Sequence, residues 1–267
     1  MRHAAAPASL VALVVLGGCG AIGDMRSQYV ANRALREASA ELTGDSPRLD
    51  RARRSLDLAY RLRRGDPRFL ARLAEPYQAA GGFDRAIRCY EAAEEVYGGT
   101  HEAQVAYCLL KLGKTEAGAE RALEAVRAAS DDLAAQRIGP ERYANVLNDV
   151  GYALVDAKVQ LDEGAELIEE AVRLQPTVPA HIDSLGWAYY RRGEYADAAF
   201  HLERAARLMG RRNPEVLWHL GAVHAQLGKL RRAESELRQA LELEPANEEA
   251  RRTLRHLLRE LPPPATV

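Results

Sequence analysis

Side chains able to do covalent or metal chemistry are few in this chain, and their spacing does not suit catalysis. The 267 residues contain no Gly-x-Ser-x-Gly nucleophile turn, no His-Glu-x-x-His zinc helix, no phosphate-cradling glycine loop and no paired-cysteine metal motif. Histidines 101, 181, 201, 219, 224 and 256 are scattered. His219 and His224 lie five apart, so they do not share a helical face well. Packing or surface roles are expected for these histidines. The reading is of a non-enzyme with no catalytic residue, no metal site and no cofactor. Of the 3 cysteines, Cys89 and Cys108 have two outcomes open to them, a disulfide or a pair of buried thiols, and the second is favoured.

The third cysteine has a distinctive setting. Arg2 and His3 precede an apolar run, Leu10-Val11-Ala12-Leu13-Val14-Val15-Leu16, and then Gly17-Gly18-Cys19. A basic start, a short apolar core and small residues before a cut site describe an export signal. The run is well short of the roughly 20 residues that span a bilayer. Leu16-Gly17-Gly18-Cys19 resembles the lipobox of bacterial lipoproteins. That resemblance implies that residues 1–18 are removed and that Cys19 is acylated as the new N-terminus, anchoring the chain to a membrane. Gly20 and Ala21 follow in place of an aspartate. In an organism with two membranes this implies the periplasmic face of the outer membrane.

Composition describes a globular remainder. Hydrophobic residues make up 47% and charged residues 28%, and the formal net charge is −1. Such a balance gives no electrostatic footprint for nucleic acid. Ala, Leu, Arg and Glu are abundant and favour helices. Between Arg48 and Arg72 stand nine arginines (48, 51, 53, 54, 61, 63, 64, 68 and 72). A solvated helix face is the favoured reading of this segment, and contact with anionic headgroups beside the anchor is the alternative.

The elements that would position functional groups come from an internal repeat. Leu185-Gly186, Tyr189, Gly193, Tyr195, Ala198, Leu202 and Ala205 recur in spacing as Leu220-Gly221, His224, Gly228, Leu230, Ala233, Leu237 and Ala240. Upstream copies run from Leu73-Ala74 to Ala93 and from Val105-Ala106 to Ala125. Another, with one extra residue before its second helix, runs from Val150-Gly151 to Pro176, and a faint one spans Ala40 to Ala59. The pattern resembles the tetratricopeptide repeat, with its period of about 34 residues. The resemblance covers roughly residues 33–262 and implies an all-α, right-handed α-solenoid of about six helix pairs plus a C-terminal capping helix.

The expected organisation is an anchor and linker at 19–32, N-terminal repeats at 33–132, an insertion at 133–143, C-terminal repeats and cap at 144–261, and a disordered tail at 262–267. Pro76 falls inside an expected first helix, which must be kinked or out of register there. In this fold the first helix of each pair lines a concave groove. Setting aside residues that pack between helices leaves Asn145, Asn148, Tyr152, Asp156, Asp183, Trp187, Tyr190, Arg191, Glu215, Trp218 and Gln226 facing inward. Tryptophan and tyrosine are favoured binding anchors. The alternative is that Trp187 and Trp218 pack between adjacent first helices. Arg191 is the one cation expected in this C-terminal half of the groove, which disfavours gripping of a C-terminal carboxylate, and the N-terminal half offers mainly Tyr107 and Lys111.

The function read from these residues is a membrane-anchored scaffold whose groove takes a protein or peptide partner, similar to lipoproteins that assist assembly of envelope complexes. A small-ligand or lipid carrier at the envelope is the alternative. The lipid anchor is tested by Cys19→Ser, which is expected to abolish metabolic labelling with radioactive palmitate. Label retained by that variant would exclude acylation at this position.

Overall fold

The computed structural model describes residues 18–43, 47–98, 101–210 and 213–260. The expected signal segment, apart from the backbone of Gly18, and the tail at 262–267 lie outside the described residues. All regular structure among the described residues is helical. The helices are α1 (Gly18–Thr43), α2 (Leu49–Arg63), α3 (Pro67–Ala71), α4 (Ala74–Ala79), α5 (Phe83–Tyr97), α6 (Glu102–Lys111) and α7 (Thr115–Ala134). They continue with α8 (Pro140–Ala157), α9 (Leu161–Leu174), α10 (Pro179–Arg192), α11 (Tyr195–Leu208), α12 (Pro214–Gln226), α13 (Leu230–Leu243) and α14 (Glu248–Glu260). None of them is long and apolar enough to cross a membrane.

The helices form six pairs: α1 with α2, the broken helix α3–α4 with α5, α6 with α7, α8 with α9, α10 with α11, and α12 with α13. The second helix of each pair also packs on the pair that follows, and α14 closes the array against α13 and α12. Each amphipathic pair leaves an apolar face that its neighbour covers, so the core is continuous along the stack.

Local chemistry sets the helix boundaries. Proline opens α3, α8, α10 and α12, where a missing N–H costs nothing. The Asn213 side chain accepts from the N–H groups of Glu215 and Val216 at 2.9 and 3.0 Å and so caps α12. Gly193 ends α10 with φ +84°, a backbone that other residues rarely adopt. The extra residue between α8 and α9 is absorbed without glycine. Lys158 and Gln160 both take positive φ, 59° and 47°. At Pro76 the expected first helix is indeed interrupted, and Arg72 and Leu73 separate α3 from α4. Pro76 thereby sits in the first turn of α4, where an N–H would lack an intrahelical partner in any case.

Two boundaries differ from expectation. Residues 19–32, expected to link the anchor to the repeats, are helical and form the first half of α1. Ala31, Ala34, Leu35 and Ala38 of α1 are buried. Ser27 Oγ donates to the Leu62 carbonyl at 3.2 Å, and Asp24 pairs with Arg63 at 2.5 Å. The first part of the expected insertion extends α7 to Ala134. The arginine-rich segment is partly absorbed by structural contacts. Arg53 donates to the Ala80 carbonyl at 2.6 Å, Arg63 also pairs with Asp66 at 2.5 Å, and Arg72 donates to Asn32 at 3.1 Å. Cys89 and Cys108 are separate, buried thiols. Burial pushes both up to about 12, so neither is a reactive thiolate.

Paired helices touch through small residues. A Cβ on Gly186 would meet Leu202 Cγ at 2.6 Å, and one on Gly221 would meet Leu237 Cγ at 2.6 Å. On Gly151 it would lie 2.5 Å from the Gly164 carbonyl oxygen, which is backbone and cannot rotate away. Gly151→Ala is therefore expected to push α8 off α9 and destabilise the fold by about 1–3 kcal/mol, the usual cost of overpacking. Urea melts would check it, and an unchanged midpoint would show that the two helices need no such contact.

Candidate functional site

The first helices α6, α8, α10 and α12 line one face, and two adjoining chambers open on it. The first, about 400 Å³, lies toward the N-terminal ends of α10 and α12 and includes Gln104, Tyr107, Asn148, Asp149, Tyr152, Asp183 and Glu215. The second, about 730 Å³, lies toward the C-terminal ends of α8 and α10 and includes Lys111, Asp156, Lys158, Trp187, Tyr190, Arg191, Trp218 and Arg252. Tyr152 belongs to both chambers. Its hydroxyl donates to Glu215 Oε1 at 3.1 Å, reaching from α8 past α10 to α12. Partial burial together with the nearby Glu215 carboxylate holds the Tyr152 hydroxyl well above the usual phenol range.

Beneath the second chamber is an aromatic floor. The Trp187 ring stacks on His219 at 4.2 Å and on Tyr190 at 4.7 Å, and Trp218 leans against it at 5.1 Å. Arg191 places its guanidinium 5.5 Å from the Trp187 ring centre and donates to the Asp156 carbonyl. Burial pushes the Arg191 guanidinium below its usual value. Lys111 Nζ meets Asp156 Oδ2 at 2.5 Å.

Much of this floor is core. Trp187 is 3% exposed, so it packs between first helices, as the alternative reading held. Asp183 is buried too, with its oxygens 3.0 and 3.1 Å from His219 Nδ1. Trp218 is half-buried and borders the second chamber. Of the remaining expected residues, Asn148 and Tyr152 line the first chamber, and Tyr152, Asp156, Tyr190 and Arg191 line the second. Asn145 falls outside both. It is exposed beside a smaller recess of about 260 Å³, with its Oδ1 3.1 Å from His181 Nε2. Gln226 is exposed near Tyr190 without lining either chamber.

The groove holds two cations beyond the expected Arg191 and Lys111. Lys111, Lys158 and Arg252 join Arg191 around the second chamber. Repeat phase could not reveal two of them. Lys158 is placed by the irregular turn after α8, and Arg252 by the cap helix folding back over the groove. Asp149 and His219 were also missed as parts of the face, because each is meaningful only beside residues of other repeats.

Asp183, Glu215 and His219 offer ligand atoms that all lie within 4.8 Å of one another. His219 is fully enclosed. Enclosure disfavours its charged form, but the adjacent Asp183 carboxylate, with Glu215 and Asp156 beyond, outweighs this and raises its pKa above the ordinary histidine value. An imidazolium–carboxylate pair satisfies this geometry. For Glu215, burial and the nearby Asp183 hold the carboxyl above its usual range, against the opposing pull of His219.

With this geometry in hand, comparison with known proteins is direct. Residues 214–247 match the family model for the tetratricopeptide repeat. A tetratricopeptide-repeat protein of Thermus thermophilus superposes with a TM-score of 0.56 at 23% identity, over 72% of this chain and 99% of that one. The fold is that of the tetratricopeptide repeat. In the Cut9–Hcn1 hetero-tetramer of the APC/C, one chain aligns at TM-score 0.52 and 18% identity, covering 88% of this chain and 46% of the other. PilW, a widely conserved type IV pilus biogenesis factor, aligns at 0.51 and 16% identity, over 84% of this chain and 98% of PilW. In sequence, a repeat-containing protein of Pseudomonas aeruginosa is 44% identical over 78 residues, 29% of this chain. The match spans only 13% of the length of that curated relative.

The His219–Asp183 pair predicts a pH dependence with a definite sign. A raised histidine pKa in the folded state means stabilisation that is complete below the unfolded value of about 6.5. It is lost as pH rises through the higher folded value. Asp183→Asn should remove that component. Thermal melts across this range should find the variant closer to wild type at alkaline pH than at pH 6, and parallel curves would refute the pairing.

Proposed function

We propose that the chain is a tetratricopeptide-repeat scaffold that holds an extended segment of a protein partner in the concave face formed by α6, α8, α10 and α12. The observation carrying this reading is the pair of open, chemically distinct chambers joined at Tyr152 along a continuous face. Asn148 Oδ1 in the wall of the first chamber and Trp218 Nε1 at the edge of the second are buried without a hydrogen-bond partner. Charged and aromatic groups around an open trough suit a peptide better than an apolar lipid, which calls for an enclosed apolar cavity.

Membrane tethering through Cys19 belongs to the same proposal and rests on residues 10–19 of the sequence. A tether would confine the scaffold to the membrane surface and raise its effective concentration near partners there. The likeness of fold to a pilus biogenesis factor supports a role in assembling an envelope complex, at the periplasmic face of the outer membrane where two membranes exist.

Site-specific photocrosslinking in cells tests the groove. A benzoylphenylalanine at position 226, beside Tyr190, is expected to capture a protein partner. The same probe at Phe200, 63% exposed on second helix α11, should not. Capture from position 200 and none from position 226 would move the binding surface to the other face.

A further inference from the structure

The two chambers differ in charge. Around the first stand Asp149 of α8, Asp183 of α10 and Glu215 of α12, and among the described residues lining it there is no lysine or arginine. Asp183 has His219 as its counter-charge. Among the described residues neither Asp149 nor Glu215 forms a salt bridge, and His219, already paired with Asp183, lies within 4.8 Å of Glu215. Both carboxylates are exposed at the chamber wall, so each can accept from an incoming positive charge. A second, independent observation concerns Asn148 in the same wall. It is 8% exposed, its Nδ2 donates to Asp149 at 3.3 Å, and its Oδ1 has no partner. The wall thus presents acceptors from three successive repeats, together with the rings of Tyr107 and Tyr152. Acceptors with adjacent aromatic rings suit a planar, many-donor cation.

We infer that the first chamber is a specificity pocket for one basic side chain, an arginine or lysine, of the bound partner segment. This rests on the groove reading above and adds to it the residue type that the partner must carry. About 400 Å³ admits a long side chain and excludes a folded element. The guanidinium or ammonium would sit between Asp149 and Glu215 and donate to Asn148 Oδ1. Tyr152 would keep its bond to Glu215 and form the far wall.

The test selects short random displayed peptides on the immobilised full chain. The best binder is then synthesised twice, once with its arginine and once with citrulline, which keeps the shape and removes the charge. The expected result is a fixed basic residue among the selected peptides and a loss of about tenfold or more in affinity for the citrulline form, since hydrogen bonds to charged groups are the strong ones. That discrimination should collapse in Asp149→Asn and in Glu215→Gln, each isosteric, with melting temperature measured alongside. Should either variant unfold, the arginine–citrulline comparison on the wild-type chain still decides. Peptides selected without a fixed basic residue, or equal affinity for the two forms, would overturn this inference and leave the groove reading standing. No peptide selected, together with no crosslink from position 226, would overturn both. One-to-one binding of zinc or calcium that is lost in Glu215→Gln, with peptide binding indifferent to charge, would overturn it in favour of a metal site at Asp183, Glu215 and His219.

Discussion

Where α8 crosses α9, the backbone of one helix lies against the backbone of the other. No Cβ fits on Gly151 because the Gly164 carbonyl is 2.5 Å from where it would stand. The next two pairs repeat the arrangement with a glycine facing a leucine, Gly186 with Leu202 and Gly221 with Leu237. This close approach fixes how each first helix is seated on its second. The seating fixes the angle to the next pair, and the accumulated angles produce the concave face. Neither chamber is a property of one repeat. Tyr152 and Glu215 can meet only because α8 and α12 are brought together across α10, so the groove depends on small residues lying far from it.

The floor of that groove is unusually fixed for an interaction surface. Trp187, His219 and Tyr190 form a stack held at one end by the Asp183 carboxylate and flanked by the Arg191 guanidinium. Breaking it would expose a buried ion pair as well as aromatic area, and each is costly. A partner segment laid over such a floor would meet a surface already ordered, so less of the interaction energy would go into immobilising receptor side chains. It follows that Trp187 is poorly suited to mutational tests of binding. Its loss would disturb the floor whether or not a partner touches it.

The repeats were legible because their signals are local. Helical spacing of leucine and alanine, glycine at helix ends and proline at helix starts each act within a few residues, and six pairs and a cap follow from them. Pro76 correctly marked a break for the same reason. What stayed hidden depends on distance in sequence. The first half of α1 lacks the repeat pattern and is held by α2 through contacts such as Ser27 with Leu62. Groove phase alone could not separate Trp187 from Trp218, since both occupy inward positions and only the curvature decides which is covered. Arg252 enters the second chamber from a helix outside the repeat phase. Asn145, in the second turn of α8, lines the recess beside α7 and not the two chambers.

The segregation of charge along the groove has two possible physical origins, and position within the helices separates them. The first helices run parallel, with N-terminal ends toward one chamber and C-terminal ends toward the other. Helix dipoles favour anions at the former and cations at the latter, by about 0.3–1 kcal/mol each, within a single turn of the end. The cations of the second chamber fit that account. Lys111 is the last residue of α6, Lys158 caps α8, and Arg191 is next to last in α10. Glu215, the second residue of α12, fits as well. Asp183 and Asp149 do not. Asp183 stands in the second turn of α10, where His219 accounts for it. Asp149 lies in the middle of α8, beyond the reach of the dipole. It is exposed and accepts a single bond from Asn148 Nδ2, so neither the helix end nor a counter-charge among the described residues gives fold stability a reason for a carboxylate at this position. Asp149 stands between the smaller recess beside α7 and the first chamber, where a partner's positive charge would find acceptors from three repeats.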